Sequence, residues 1–226
     1  MIGHRGAAAV APENTLESLG AAVAAGADLV EFDVREGLVL GHPGSEGDSE
    51  PPTLDDALEL LARKSVGAHI DLKLVGSEAE IAAAVRRHGL EERTVVSSTW
   101  AHSLRLLAHE APWLTRAISY PRDRYGAGNV RWPRPMVGVS AACLRPAMRL
   151  RLPPLLAAAR AGVLSLHHTL VSRPLVAGVH ARGAAVLAWT VNDPTEVERL
   201  ARLGVDAIVS DDPGMAVRVV GTLEPA

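Results

Sequence analysis

Residues 29–34, Leu-Val-Glu-Phe-Asp-Val, and residues 68–73, Ala-His-Ile-Asp-Leu-Lys, decide the fold. Each is a short run in which apolar and polar residues alternate, bounded by turn or helix-ending residues, the pattern of a strand. Working upstream, residues 2–4 form a brief first strand. Asn14 or Thr15 then caps a helix that runs to Ala25 and ends at Gly26, with Glu17 as the capping-box partner of Asn14. Downstream, residues 38–42 read as a hairpin arm and residues 44–52 as a turn-rich acidic loop. Thr53 caps a helix with Leu54, Leu58 and Leu61 at helical spacing. The alternation continues with strands at 94–97, 115–119, 163–167, 185–190 and 207–210. Helices fall at 78–88, 102–110, 154–161, 173–182, 195–202 and 214–220. Residues 120–149, rich in Pro, Gly and Arg, are irregular. Leaving the arm aside, eight strands alternate with helices, which implies parallel pairing with right-handed crossovers. The fold class is therefore α/β, a (β/α)8 TIM barrel, and residues 1–226 read as a single domain. No GxGxxG follows the first strand, which weighs against a dinucleotide fold.

Composition narrows the function. Hydrophobic residues make up 48% and charged residues 22%, which excludes a disordered chain. Aromatics are only 3% and the net charge is -3 with no basic stripe, so no nucleic-acid partner is expected. The single Cys143 cannot form an internal disulfide or a metal site alone. No stretch reaches transmembrane length and no signal segment opens the chain, so no stable membrane insertion and a cytoplasmic location are expected.

Barrel chemistry gathers at the C-terminal ends of the strands. There the sequence offers His4-Arg5-Gly6, Glu31-Phe32-Asp33, His42, Asp71-Leu72-Lys73 and Ser210-Asp211-Asp212. Residues two apart on a strand share a side, so Glu31 pairs with Asp33 and Asp71 with Lys73. Three carboxylates facing one mouth repel unless a cation joins them. Oxygen donors suit Mg2+ or Ca2+, with Mn2+ an option, better than Zn2+. A divalent cation with Arg5 and Lys73 would exceed the three carboxylates by one positive charge, which a phosphodiester would balance.

These residues resemble the glycerophosphodiester phosphodiesterase family. The matching set is His4-Arg5-Gly6, Pro12-Glu13-Asn14-Thr15, Glu31-x-Asp33, His42, Ile70-Asp71-Leu72-Lys73, Ser97-Ser98, Trp189-Thr190-Val191-Asn192, and Gly204-Val205-Asp206 leading to Asp211-Asp212-Pro213. The resemblance spans almost the whole chain in order, and the family fold is a (β/α)8 barrel. It implies Glu31, Asp33 and Asp71 as metal ligands, His4 and His42 as the catalytic acid–base pair, and Arg5 and Lys73 on the phosphate oxygens. Asn14 and Trp189 would border the substrate. The implied reaction is metal-dependent hydrolysis of a small-molecule phosphodiester to glycerol 3-phosphate and an alcohol, in lipid metabolism. Pro43 stands where the family commonly has Asp, and Asp71 where it commonly has Glu, shortening the ligand by about 1.5 Å. The arm lacks the Thr-x-Asp-Gly turn, and the insertion after the second strand is shortened to 28 residues between His42 and Asp71.

Other residues have plainer readings. Asp211 and Asp212 begin the last helix, favoured by its macrodipole. His102, His109, His180 and Cys143 read as structural or surface residues, and His167 and His168 carry no assigned role. Two alternatives share the fold: a phospholipase D-like lipid phosphodiesterase, and a non-catalytic barrel that binds a ligand or partner.

Overall fold

The computed structural model describes residues 1–43, 50–121, 151 and 154–223. Its strands are β1 (Ile2–Gly3), β2 (Leu29–Arg35), β3 (Val39–Leu40), β4 (Gly67–Leu72), β5 (Thr94–Ser98), β6 (Thr115–Tyr120), β7 (Val163–His167), β8 (Ala185–Trp189) and β9 (Ala207–Ser210). Sheet order is β1-β9-β8-β7-β6-β5-β4-β2-β3, and β1 also pairs with β2, which closes the ring. Pairing within the ring is parallel throughout. The short β3 runs antiparallel to the end of β2, matching Val34 with Leu40 and Arg35 with Val39. This is an eight-stranded (β/α)8 barrel carrying one hairpin arm, as the alternating pattern implies.

The helices are α1 (Leu16–Ala24), α2 (Leu54–Lys64), α3 (Glu78–Arg87), α4 (Ala101–Glu110), α5 (described over residues 154–159), α6 (Arg173–His180), α7 (Pro194–Arg202) and α8 (Pro213–Gly221). Their starts follow local chemistry. Thr15 caps α1 by accepting from the Ser18 N–H, and Ser18 Oγ accepts from the Thr15 N–H, a reciprocal capping box. That corrects the expected Asn14–Glu17 pairing, because Asn14 turns its amide toward β2 instead. Thr53 and Asp56 form the same box on α2, while Asp193 and Asp212 cap α7 and α8 ahead of a proline.

Two apolar layers build the core. Outward residues of β2 and β4, among them Val30, Phe32 and Ile70, are fully buried beneath Leu19 of α1 and Leu58 and Leu61 of α2. Inside the ring, Ile2, Leu187 and Val209 form a small plug against Leu29, Val163 and Trp189. Each fully buried Leu or Phe contributes about 1.5–3 kcal/mol, so the outer layer carries most of the stability. Above the plug the inward positions turn polar, and there the site forms. The irregular segment at 120–149 falls almost wholly outside the described residues, as do Cys143 and most of the 44–52 loop.

Candidate active site

Strand register stacks the acidic residues. Glu31 lies level with His69, and Asp33 is level with Asp71, which is level with Ser97. Alternation points these side chains inward while Phe32 and Ile70 face the helices. Ligand oxygens of Glu31, Asp33 and Asp71 come within 4.8 Å of one another. Glu31 and Asp33 are only 4% and 1% exposed, too buried to be tolerated as bare anions.

The loop after β1 supplies the counter-charge. His4 continues the strand through its N–H to the Ser210 carbonyl (2.8 Å). Arg5 then turns with φ 48°, giving its backbone N–H to Glu31 Oε2 (2.7 Å) and setting its Nε 3.0 Å from Asp33 Oδ2. Its far nitrogen donates to Glu13 (2.7 Å). Gly6, at φ 88°, is required because a Cβ would lie 2.4 Å from the Ser18 backbone. Asn14 clamps the returning loop, accepting from the Asp33 N–H (2.9 Å) and donating to Asp33 Oδ2 (3.3 Å). From β4, Lys73 places Nζ 3.0 Å from Asp33 Oδ1 and bonds Asp71 Oδ2.

These contacts divide the acids. Burial raises the Asp33 carboxyl, but the Lys73 and Arg5 charges prevail and hold it below its usual range. Glu31 is pushed up to about 7, first by burial and then by the Asp33 and Asp71 charges. Two cations thus serve Asp33 and leave Glu31 short of positive charge. A hard divalent cation among the three carboxylates would supply it, and the all-oxygen donor set fits one.

His4 Nδ1 meets Asp211 Oδ1 at 2.6 Å. Asn192 fixes that carboxylate, donating to Oδ2 and accepting from the Asp211 N–H (2.9 Å). Burial lowers the His4 pKa, yet the Asp211 hydrogen bond and the charges of Glu31 and Asp211 outweigh it and raise the pKa above the ordinary value. The helix-start reading of Asp211 is thereby corrected: only Asp212 caps α8, while Asp211 orients His4. Beside them lies an open cleft of about 510 Å3, lined by His4, Ala8, Ala9, Glu13, Asn192, Asp211 and Asp212.

The structure thus joins Arg5, Asn14, Glu31, Asp33, Asp71 and Lys73 in one network of contacts, with His4 held next to Arg5 on its own partner Asp211. His42 stands exposed beyond β3, its arm tied by the Gly41 N–H to the Asp33 carbonyl (3.1 Å). Trp189, at the end of β8, packs edge-on against His167 with ring centroids 5.3 Å apart. Burial and the neighbouring His168 lower the His167 pKa to about 4. Four site residues escaped the sequence reading of roles: Asp211, Asn192, Ser97 and His69. Parity was the available signal, since Asp211 follows Val209, and His69 precedes Asp71, by two positions.

The site thus defines a barrel of the metal-site type, with acids, cations and an oriented histidine gathered at one mouth. A phosphodiesterase from Oleispira antarctica, solved with its product sn-glycerol-3-phosphate, shares the fold at 23% identity and TM-score 0.72, covering 98% of this chain and 96% of that one. So does a glycerophosphodiester phosphodiesterase from Agrobacterium tumefaciens, at 21% and TM-score 0.72, covering 96% and 98%. A glycerophosphodiester phosphodiesterase of Caldanaerobacter subterraneus subsp. tengcongensis is 26% identical over 97% of both chains. The glycerophosphoryl diester phosphodiesterase family model matches residues 4–36 and 52–215, and the chain belongs to that family.

Proposed function

We propose that the protein hydrolyses glycerophosphodiesters to glycerol 3-phosphate and an alcohol with a divalent metal held by Glu31, Asp33 and Asp71. The observation that carries this is the convergence of three carboxylates, two of them buried, with Arg5 and Lys73. The product bound in the Oleispira antarctica protein supports the same substrate class. A bound Mg2+, Ca2+ or Mn2+ would withdraw charge from the phosphoryl oxygens. Arg5 and Lys73 bind those oxygens and stabilise charge growing on them. His4 donates a hydrogen bond from its Nδ1–H to the Asp211 carboxylate, which leaves Nε2 as the working atom. The upward shift of its pKa favours the protonated form, which suits His4 to act as the acid that protonates the departing alcohol. His42 accepts the proton of the attacking hydroxyl. Trp189 and Asn14 border the substrate, Asn14 chiefly by fixing Asp33. The chain acts as one catalytic unit on a small molecule in the cytoplasm; no described helix is long and apolar enough to cross a membrane.

A screen of glycerophosphocholine, glycerophosphoethanolamine and glycerophosphoglycerol with Mg2+, Ca2+ or Mn2+, reading glycerol 3-phosphate release, tests the proposal. Release that EDTA abolishes and metal restores is the expected result. Full turnover in a verified metal-free preparation would overturn the three-carboxylate site.

A further inference from the structure

We infer that Ser97 and His69 are positioning residues that hold the shortened carboxylate of Asp71 toward the other two acids. The inference rests on the metal-site reading above and addresses how an aspartate works in it. Asp33, Asp71 and Ser97 occupy one level of three adjacent strands. Ser97 Oγ donates to Asp71 Oδ1 at 2.5 Å, and His69 Nε2 lies 2.9 Å from the same hydroxyl oxygen. Proton counting fixes the direction of the chain. An ionised carboxylate only accepts, and a serine hydroxyl has one proton to give. Ser97 therefore spends its proton on Asp71 and accepts from the Nε2–H of His69.

Pinning Oδ1 turns Oδ2 of Asp71 to the side where Lys73 and Asp33 stand. A glutamate could reach that position by choosing a rotamer. An aspartate one methylene shorter cannot, and depends on being aimed. His69 is costly for any other purpose: it is 3% exposed and its Nδ1 has no hydrogen-bond partner. A stability role alone would favour an apolar side chain at this position. The bond to Ser97 is what an imidazole adds there.

Isothermal titration of the 226-residue chain with Mn2+ tests this, with circular dichroism melts to confirm folding. Ser97→Ala should weaken Mn2+ binding by about ten- to a hundredfold. His69→Leu should weaken it in the same direction, and His69→Gln, which keeps a donor for Ser97, should restore it. In an Asp71→Glu background the Ser97→Ala loss should shrink to within about twofold. Should His69→Leu not fold, Ser97→Ala against His69→Gln decides. Unchanged Mn2+ affinity in Ser97→Ala, or an equal loss with Glu at position 71, overturns the inference while leaving the metal reading intact. Absence of Mn2+ binding by the wild type overturns both.

Discussion

His4 shows how one hydrogen bond decides a residue's chemistry. Burial lowers the pKa of its imidazole, and the Asp211 hydrogen bond, with the charges of Glu31 and Asp211, turns the shift upward. Asp211→Asn should therefore lower kcat by about 10²-fold with little change in KM. It should also move the alkaline limb of the pH–rate profile toward acid, because the acid form of His4 loses its supporting charge. A limb that stays in place would assign that titration to another group. His4→Ala and His42→Ala should each cost about 10²–10⁴-fold in rate with folding intact. His167 makes the opposite case, with a folded pKa of about 4 against about 6.5 in the unfolded chain. Between those values the unfolded state binds the extra proton, so its contribution is complete above pH 6.5 and is lost as the pH falls toward 4. Thermal melts from pH 7 to 4 should show a shallower decline for His167→Asn than for wild type. Parallel declines would remove His167 from the acid sensitivity.

At the level of elements, the arm is the most exposed part of the design. β3 is two residues long, and the Gly41 N–H bond to the Asp33 carbonyl ties the arm down just before His42. Gly41 has φ 140°, and a Cβ there would sit 3.1 Å from Arg35 Nε. Gly41→Ala should cost about 1–3 kcal/mol, a drop of a few degrees in Tm, and lower kcat more than tenfold as His42 shifts. Wild-type kcat in a folded Gly41→Ala protein would show that His42 does not depend on this arm. Helix starts were legible at this scale where the cap is local: Thr53 announces α2. At α1 the neighbours Asn14 and Thr15 offered two caps. The contact of Asn14 with Asp33, nineteen positions away, selected one.

For the whole molecule, the trimmed stretch between His42 and Asp71 bears on selectivity. Binding energy from the non-reacting part of a substrate separates head groups. With this wall cut back, kcat/KM values for glycerophosphocholine, glycerophosphoethanolamine and glycerophosphoglycerol should fall within about tenfold, or about 1.4 kcal/mol. A preference above roughly a hundredfold would mean that another segment or a second subunit rebuilds the wall.

The sequence by itself determined the alternation of strands and helices, hence the barrel, and the parity that sets Glu31 beside Asp33 and Asp71 beside Lys73. Those are consequences of backbone periodicity, which acts over a few residues and can be read in one dimension. Tertiary structure alone decided which of two adjacent aspartates caps a helix and which grips His4. The same holds for His69 behind Ser97, an arrangement that needs the register between β4 and β5. Such pairings depend on which strands become neighbours when β1 meets both β2 and β9. Ring closure brings Asp211 within 2.6 Å of a histidine 207 positions earlier, a relation that no local pattern in the chain carries.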